Sequence, residues 1–340
     1  MLKIYPVSDY ITEPYQKEQL NNIYDTWRQY SSQSHDFVLV KDENEADIFL
    51  FNTHFTSRDE YYLITTHHFY KKYFHKCMLW CDKDVPYPIL PGIYTAMPRV
   101  PMHHLFFRTV PYLSDTNPVI SANNEILPKY MACFQGSMSA NVRKNIMKQK
   151  YSDSILRIST TPYWGDFIFG KGFADTGSDY LSQYAANMLN AKFILCPKGN
   201  GTASYRFFET LQAGRVPVLI SDSYVLPAID ENWDDIIITI AENNIRNLEK
   251  ILLTYENEWQ ERGKKGKFIY EKYFSKSQKT RYYLLALKQI YDQINKISFL
   301  YMIVYKIFAY AYILHSNVSF QLKRTISKTI SYIKQKLKWK

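Results

Sequence analysis

The stretch FILCPKGNGTASYRFFETLQAGRVPVLIS, residues 193 to 221, restricts the possible folds more than any other part of the chain. Phe193 to Cys196 is an apolar run too short for a helix and stopped by Pro197, and Val216 to Ile220 is a second such run, so both read as buried strands. The residues between them fit one helix, which makes the whole a β-α-β unit of a parallel sheet. Gly199 and Gly201 let the backbone turn tightly ahead of that helix. Ser204 falls at its N-cap or first turn, and Gly214 suits a left-handed residue just past its end. A loop and helix N-terminus at the carboxyl end of a parallel strand form a place where anions bind. Arg206 and Glu209, three residues apart, share one helical face near that end. Arginine can grip a phosphate with two parallel hydrogen bonds, and a glutamate can accept from both hydroxyls of a ribose. The same residues also suit an ordinary β-α-β unit with an internal Arg206 to Glu209 ion pair, which glycine spacing alone would favour.

Strand-like and helix-like segments alternate through much of the chain, as in doubly wound parallel sheets. Leu2 to Tyr5, Phe37 to Val40, Asp47 to Phe51 and Cys77 to Cys81 are expected to be strands of a first domain, with a helix over Tyr15 to Tyr30. Asp82 to Pro101, with five prolines, reads as a long loop. A hinge is expected near Ala122 to Pro128. Met131 to Phe134, Ile155 to Ile158, Phe193 to Cys196, Val216 to Ile220 and Ile236 to Ile240 supply a second sheet.

The full string is more specific than its glycines. F-I-L-C-P-x-G, S-x-R-x-x-E and G-x-V-P-V-x-I-S-D followed by L-P resemble the donor-binding motif of the exostosin-like glycosyltransferases, glycosyltransferase family 47. Phe134 to Ser137, followed by Arg143, resembles the family's F-x-G turn and the helix after it, and Ile229 to Ile240 with Trp233 resembles its closing strand. Two positions depart from the pattern: Arg215 stands where cysteine is common and Ala228 where an aromatic residue is common. Neither removes a ligand-facing group. The first 125 residues match only in rhythm.

The resemblance implies a GT-B fold, two facing Rossmann-like α/β domains with the donor in the second and the acceptor in the cleft. Expected boundaries are 1–125 for the acceptor-side domain, 126–295 for the nucleotide-sugar-binding domain and 296–340 for a helical basic tail. The implied chemistry moves a sugar from a nucleotide-diphosphate donor, taken as a UDP-sugar, to a hydroxyl of a glycan or lipid-linked glycan acceptor, with inversion. Gly136, Ser137, Arg143, Pro197, Lys198, Gly199, Ser204, Arg206 and Glu209 are the candidate donor-binding residues. Arginine, lysine and oriented amides would neutralise the leaving diphosphate, so neither metal nor cofactor is expected. Asp82, Lys83 and Asp84 form a D-x-D pattern, but one far in sequence from the donor motif and better suited to capping a loop. The general base is sought among His54, Asp82 and Asp84, which follow first-domain strands. The pairs His67 with His68 and His103 with His104 lack further ligands in any metal pattern, and no structural zinc is expected.

Charge is concentrated at one end. The chain has net charge +10, and after Asp292 it carries nine basic residues and no acidic one. Residues 297–314 are largely apolar, with Lys306 and several tyrosines. Leu322, Ile326, Ile330, Ile333 and Leu337 then recur among lysines and arginines as in a basic amphipathic helix. Peripheral attachment to an anionic membrane is expected, with packing on the protein itself or on a second copy as the alternative. No nucleic-acid module accompanies the tail. The four cysteines lack disulfide-framework spacing and suit a reducing compartment. With no leader pattern at Met1, the expected setting is the cytoplasmic face of a bacterial inner membrane, in assembly of lipopolysaccharide or capsule. Two rival readings stand: a fucosyltransferase-like GT-B enzyme using a GDP-sugar, and a catalytically silent membrane-associated glycan-binding protein.

Overall fold

A computed structural model describes residues 1–11, 13–32, 34–53, 60–100, 103–120, 126–160, 176–296, 303–307 and 309. His54, most of the expected hinge and nearly all of the basic tail lie outside the described residues. The chain forms two compact units. One comprises Met1–Trp80, Pro86–Gly92 and the described residues from Lys288 onward; the other comprises Cys81–Val85 and Ile93–Leu287.

In the first unit, β1 (Leu2–Pro6), β2 (Phe37–Leu39), β3 (Ile48–Asn52) and β4 (Cys77–Cys81) lie in the order β2-β1-β3-β4. All three junctions are parallel, with Ile4 opposite both Leu39 and Ile48 and Phe49 opposite Cys77. Every residue of β3 and β4 is buried, the mark of inner strands covered on both faces. The helix Pro14–Ser31 begins at a proline, which has no amide to leave unpaired at a helix start, and buries Leu20, Tyr24 and Trp27. Trp27 stacks on Trp80 at 4.7 Å between ring centroids.

Two short strands, β5 (Gly92–Tyr94) and β6 (Phe107–Thr109), follow in the chain. The proline-rich stretch expected as loop throughout thus contains β5, built from the only three-residue apolar segment there free of proline. The second unit carries β7 (Tyr130–Gly136), β8 (Ile155–Ser159), β9 (Ala191–Pro197), β10 (Val216–Ile220) and β11 (Ile238–Thr239), in the order β11-β10-β9-β7-β8. Its pairings are parallel, with Phe193 opposite Val216 and Ala132. Of the expected strand Ile236 to Ile240 only two residues form β11, because a short 3-10 turn over Trp233–Asp235 leads into it.

Alternation along β9 shows why this sheet is covered on both sides. Ile194 and Cys196 enter one core with Phe207, Phe208 and Leu211, while Phe193 and Leu195 enter the other with Val142, Ile146 and Leu248. A strand apolar at every position needs a layer on each face, which is the doubly wound arrangement the sequence implied.

The units are cut differently from the expected domain boundaries. Asp82–Val85 and residues 93–120 fall in the second unit rather than the first, although β5 and β6 are strands of the first sheet. The reason is local: the Asp82 carboxylate accepts from the Thr95 hydroxyl at 2.7 Å and the Leu113 amide at 3.2 Å. Arg215, one of the two departures from the family pattern, is almost fully buried. It donates to the carbonyl of Leu189, at the end of the helix Thr176–Leu189, at 2.8 Å and lies over the Trp259 ring. It therefore serves as a cation and donor at a helix C-terminus, a structural use.

Candidate functional site

The helix Tyr205–Gln212 follows directly on the glycine loop after β9, and Arg206 through Leu211 are all buried. Phe207, Phe208 and Leu211 fill the core, so a helix this enclosed must also carry Arg206 and Glu209 out of water. Gly214, with φ 64°, ends it in the left-handed conformation expected. Ser204 is its N-cap residue in extended conformation, and its side chain makes no capping hydrogen bond.

Arg206 and Glu209 form no ion pair with each other. The Arg206 Nη2 donates to the Gln135 carbonyl, and its guanidinium lies 4.9 Å from the Phe134 ring, but Nε and Nη1 are buried without a partner. Glu209 Oε2 accepts from the Tyr184 hydroxyl at 2.7 Å, while Oε1 has no partner. Burial raises the Glu209 carboxyl above its ordinary range, although the Tyr184 hydroxyl and the Arg206 charge work against that. Buried charged atoms with unmade hydrogen bonds are costly, and they mark a place where a ligand supplies the missing partners. The plain β-α-β alternative required an internal ion pair, which the geometry lacks.

Both groups line a pocket with Gln135, Gly136, Ser137, Arg143, Thr160, Tyr180, Tyr184, Ser204 and Tyr205. Of the nine expected donor-site residues, Gly136, Ser137, Arg143, Ser204, Arg206 and Glu209 converge here. A Cβ at Gly136 would stand 2.5 Å from the Arg206 Nη2, so a larger residue there would have to push the guanidinium aside.

Arg143, expected to supply charge to the donor site, also has a structural part. Its Nε donates to the Lys198 carbonyl at 2.9 Å, Nη1 to the Ser137 carbonyl at 3.2 Å and Nη2 to the Pro197 carbonyl at 3.3 Å. It braces the ends of β7 and β9 against each other. Its charge still contributes, because burial first and Arg206 second bring its pKa down to about 10. Two mutually repelling guanidiniums form a site that an anion relieves.

Three expected residues are placed outside the pocket lining. The Lys198 ammonium pairs with Glu242 at 2.7 Å, so its charge is already matched, and Pro197 contributes the carbonyl that Arg143 engages. Gly199 lies against the end of the Arg143 side chain, 3.0 Å from where a Cβ would stand. Gly201 packs on the Asp84 backbone. Thr202 fastens the same loop by donating to the Ala96 carbonyl at 2.8 Å.

Among the base candidates, Asp82 is engaged by Thr95 and Leu113 and acts as the loop cap anticipated as one reading of the D-x-D pattern. Asp84 is half-buried and accepts from the Tyr112 hydroxyl at 3.3 Å. Burial foremost, and the charge of Asp82, hold its carboxyl above the ordinary aspartate range, opposed by Tyr112 and by Arg143. His54 lies outside the described residues.

His67 and His68 gain a neighbour in Asp9. The ligand atoms of the three lie within 4.8 Å of one another, close enough to hold a metal ion, against the expectation that the histidines lack a further ligand; His67 Nε2 contacts Asp9 at 3.0 Å and its Nδ1 accepts from the Phe69 amide at 3.2 Å. All four cysteines are free and buried, and burial pushes the Cys133 and Cys196 thiols up to about 12, far from a reactive thiolate.

Sequence reading missed Gln135, Thr160, Tyr180, Tyr184 and Tyr205 as pocket residues. Tyr180 and Tyr184 had a usable signal, an i, i+4 aromatic pair on the helix leading into β9, and their rings lie 6.4 Å apart and nearly parallel.

Glu209→Gln is expected to stabilise the unliganded protein at pH 7 and above. The folded pKa is raised, so the folded state favours the proton, and stability falls as pH climbs through the range where the unfolded carboxyl ionises. An uncharged amide escapes that loss. Each kcal/mol regained is worth about 2–4 °C in Tm for a unit of this size, read by calorimetry at pH 5 and pH 8. The gain should be absent at pH 4, and weaker stabilisation by nucleotide should accompany it.

Comparison with known proteins bears on this site directly. Residues 102–254 match the family model for the Exostosin GT47 domain. The chain is 27% identical over 135 residues to an exostosin-1 homolog of Caenorhabditis elegans, covering 37% of this chain and 35% of that protein. It is 28% identical over 188 residues to exostosin-1 of Mus musculus, covering 50% and 24%. It is 35% identical over 96 residues to an Arabidopsis thaliana protein named as a probable beta-1,4-xylosyltransferase, covering 28% and 23%. The matched stretches thus span at most 35% of these relatives' own length. Among solved structures, WaaG, a glycosyltransferase involved in lipopolysaccharide biosynthesis, aligns with TM-score 0.36 and 12% identity, covering 87% of this chain and 100% of that one.

Proposed function

Because the chain carries an exostosin GT47 domain over residues 102–254, we propose that it is a glycosyltransferase whose donor, a nucleoside diphosphate sugar, occupies the pocket around Arg206 and Glu209. The observation that supports this best is the pair of buried, opposite and mutually unpaired charges on one helical turn. The free Nε and Nη1 of Arg206 suit two oxygens of a diphosphate, and the free Oε1 of Glu209 suits a ribose hydroxyl.

In the reaction proposed, the acceptor hydroxyl attacks the anomeric carbon, the bond from that carbon to the diphosphate oxygen breaks, and the hydroxyl proton passes to a carboxylate. The leaving diphosphate carries the charge that Arg206, with the field of Arg143, stabilises. Asp84 is the better placed of the two aspartates to take the proton, since Asp82 is held in the loop. A raised carboxyl pKa makes a stronger base at neutral pH. The donor is read as a UDP-sugar and the acceptor as a membrane-associated glycan, with the basic tail holding the protein at an anionic leaflet at about 1 kcal/mol per lysine or arginine. No helix of the described residues is long and apolar enough to cross a membrane.

A thermal-shift screen with UDP, GDP, CMP and their sugars, with and without chelator, tests this reading. One nucleotide should raise Tm selectively, and the Asp84→Asn variant should keep that shift while losing transfer. Absence of a shift with every nucleotide would favour a silent glycan-binding protein, and a response to GDP alone would favour the GDP-sugar alternative.

A further inference from the structure

A second cavity of this unit, about 210 Å³ against about 60 Å³ for the pocket beside Arg206, lies on another side of Tyr205, which lines both. Its walls include three partly exposed tyrosines, Tyr112, Tyr205 and Tyr270, and the first two stack at 4.2 Å between ring centroids. Gln212 also lines it. The Gln212 Nε2 is used by the Asn117 and Ile120 carbonyls, at 3.3 and 2.9 Å, yet its Oε1 is buried with no partner. Asp115 stands at the rim between Lys279, whose ammonium also donates to the Leu113 carbonyl at 2.6 Å, and Lys276.

These groups select among ligand chemistries. The unmet acceptor needs a donor, which excludes a phosphate or carboxylate as its partner. Lys279 is held by Asp115 and the Leu113 carbonyl and Lys276 stands out in solvent, so an anion at the rim would meet a carboxylate as well as ammonium groups. Aromatic faces with an unmet amide acceptor and the unpartnered Tyr205 hydroxyl suit a molecule having an apolar C–H face and hydroxyls around its edge. We propose that this cavity binds a neutral pyranose ring, as a subsite for the acceptor glycan beside the donor pocket. Binding of the ring stands independently of turnover, whereas its identification with the acceptor rests on the transferase reading above.

The experiment is saturation-transfer NMR on the full chain with methyl β-glucoside, methyl β-galactoside and methyl β-xyloside as separate probes. At least one should bind in the millimolar range, with transfer strongest at the C–H protons of one ring face. Ser114 and Pro118 are exposed lining residues, and Ser114→Trp, or Pro118→Trp where the first does not fold, should plug the cavity. Either plug is expected to weaken glycoside binding about tenfold while leaving nucleotide stabilisation intact. Transfer unchanged by the plug but abolished by nucleotide would overturn the proposal by placing the sugar in the donor pocket. Absence of transfer with all three glycosides would also overturn it, with the donor-site reading left standing if nucleotide still stabilises the protein.

Discussion

Replacing Arg206 with alanine is expected to reduce sugar transfer by about a thousand-fold, mainly through kcat, because a buried donor aimed at developing charge contributes on that scale. The fold should survive. Arg206 makes one side-chain hydrogen bond, to the Gln135 carbonyl, and its remaining buried donors are unpaired, so alanine removes an uncompensated charge from the interior. Circular dichroism and Tm near those of the parent protein, with turnover lost, are the expected pair of results. Lysine at the same position keeps the charge but loses the two-pronged geometry, and should recover only part of the activity. Normal transfer by the alanine variant would remove Arg206 from the site.

Gly201→Ala carries the largest expected effect on stability. A Cβ there would stand 2.2 Å from the Asp84 carbonyl oxygen and 2.8 Å from two further Asp84 backbone atoms, and backbone cannot swing aside as a side-chain end can. Displacing the loop should cost about 3 kcal/mol. That corresponds to a drop of about 6–12 °C in the transition of the second unit, and calorimetry would read it. Gly199→Ala is the control, since its Cβ would meet only the tip of Arg143 at 3.0 Å and should cost much less. Equal losses for the two would contradict the contact assigned to Gly201.

Legibility in the sequence followed locality. β4 and β10 occupy the residues expected, and β1, β2, β3, β7, β8 and β9 differ at an end by one or two residues, whereas β11 is shorter than expected and β5 and β6 of the first sheet were not anticipated. Apolar runs bounded by glycine and proline are strong local signals. Arg206 and Glu209 were visible because they stand three apart on one helix. Lys198 was misjudged because its partner Glu242 is remote in sequence, and nothing local announces that ion pair. The structural part of Arg143 was hidden for the same reason: the carbonyls of Pro197 and Lys198 that it engages come from another part of the chain. Asp82 and Asp84 were grouped with the first domain by order in the chain, whereas hydrogen bonds to residues 95 and 113 bind their loop to the second unit.

The sequence by itself determined two parallel α/β sheets, the β-α-β unit with its glycine loop, and the arginine and glutamate that one helical turn presents together. These depend on periodicity and turn chemistry, which act over a few residues. Tertiary structure decided which of the candidate groups keep free hydrogen-bonding capacity. Arg206 and Glu209 retain it, while Arg143, Lys198 and Asp82 are engaged by partners 6 to 55 residues away. Free capacity is a property of what surrounds a side chain, and only the folded chain brings those surroundings together.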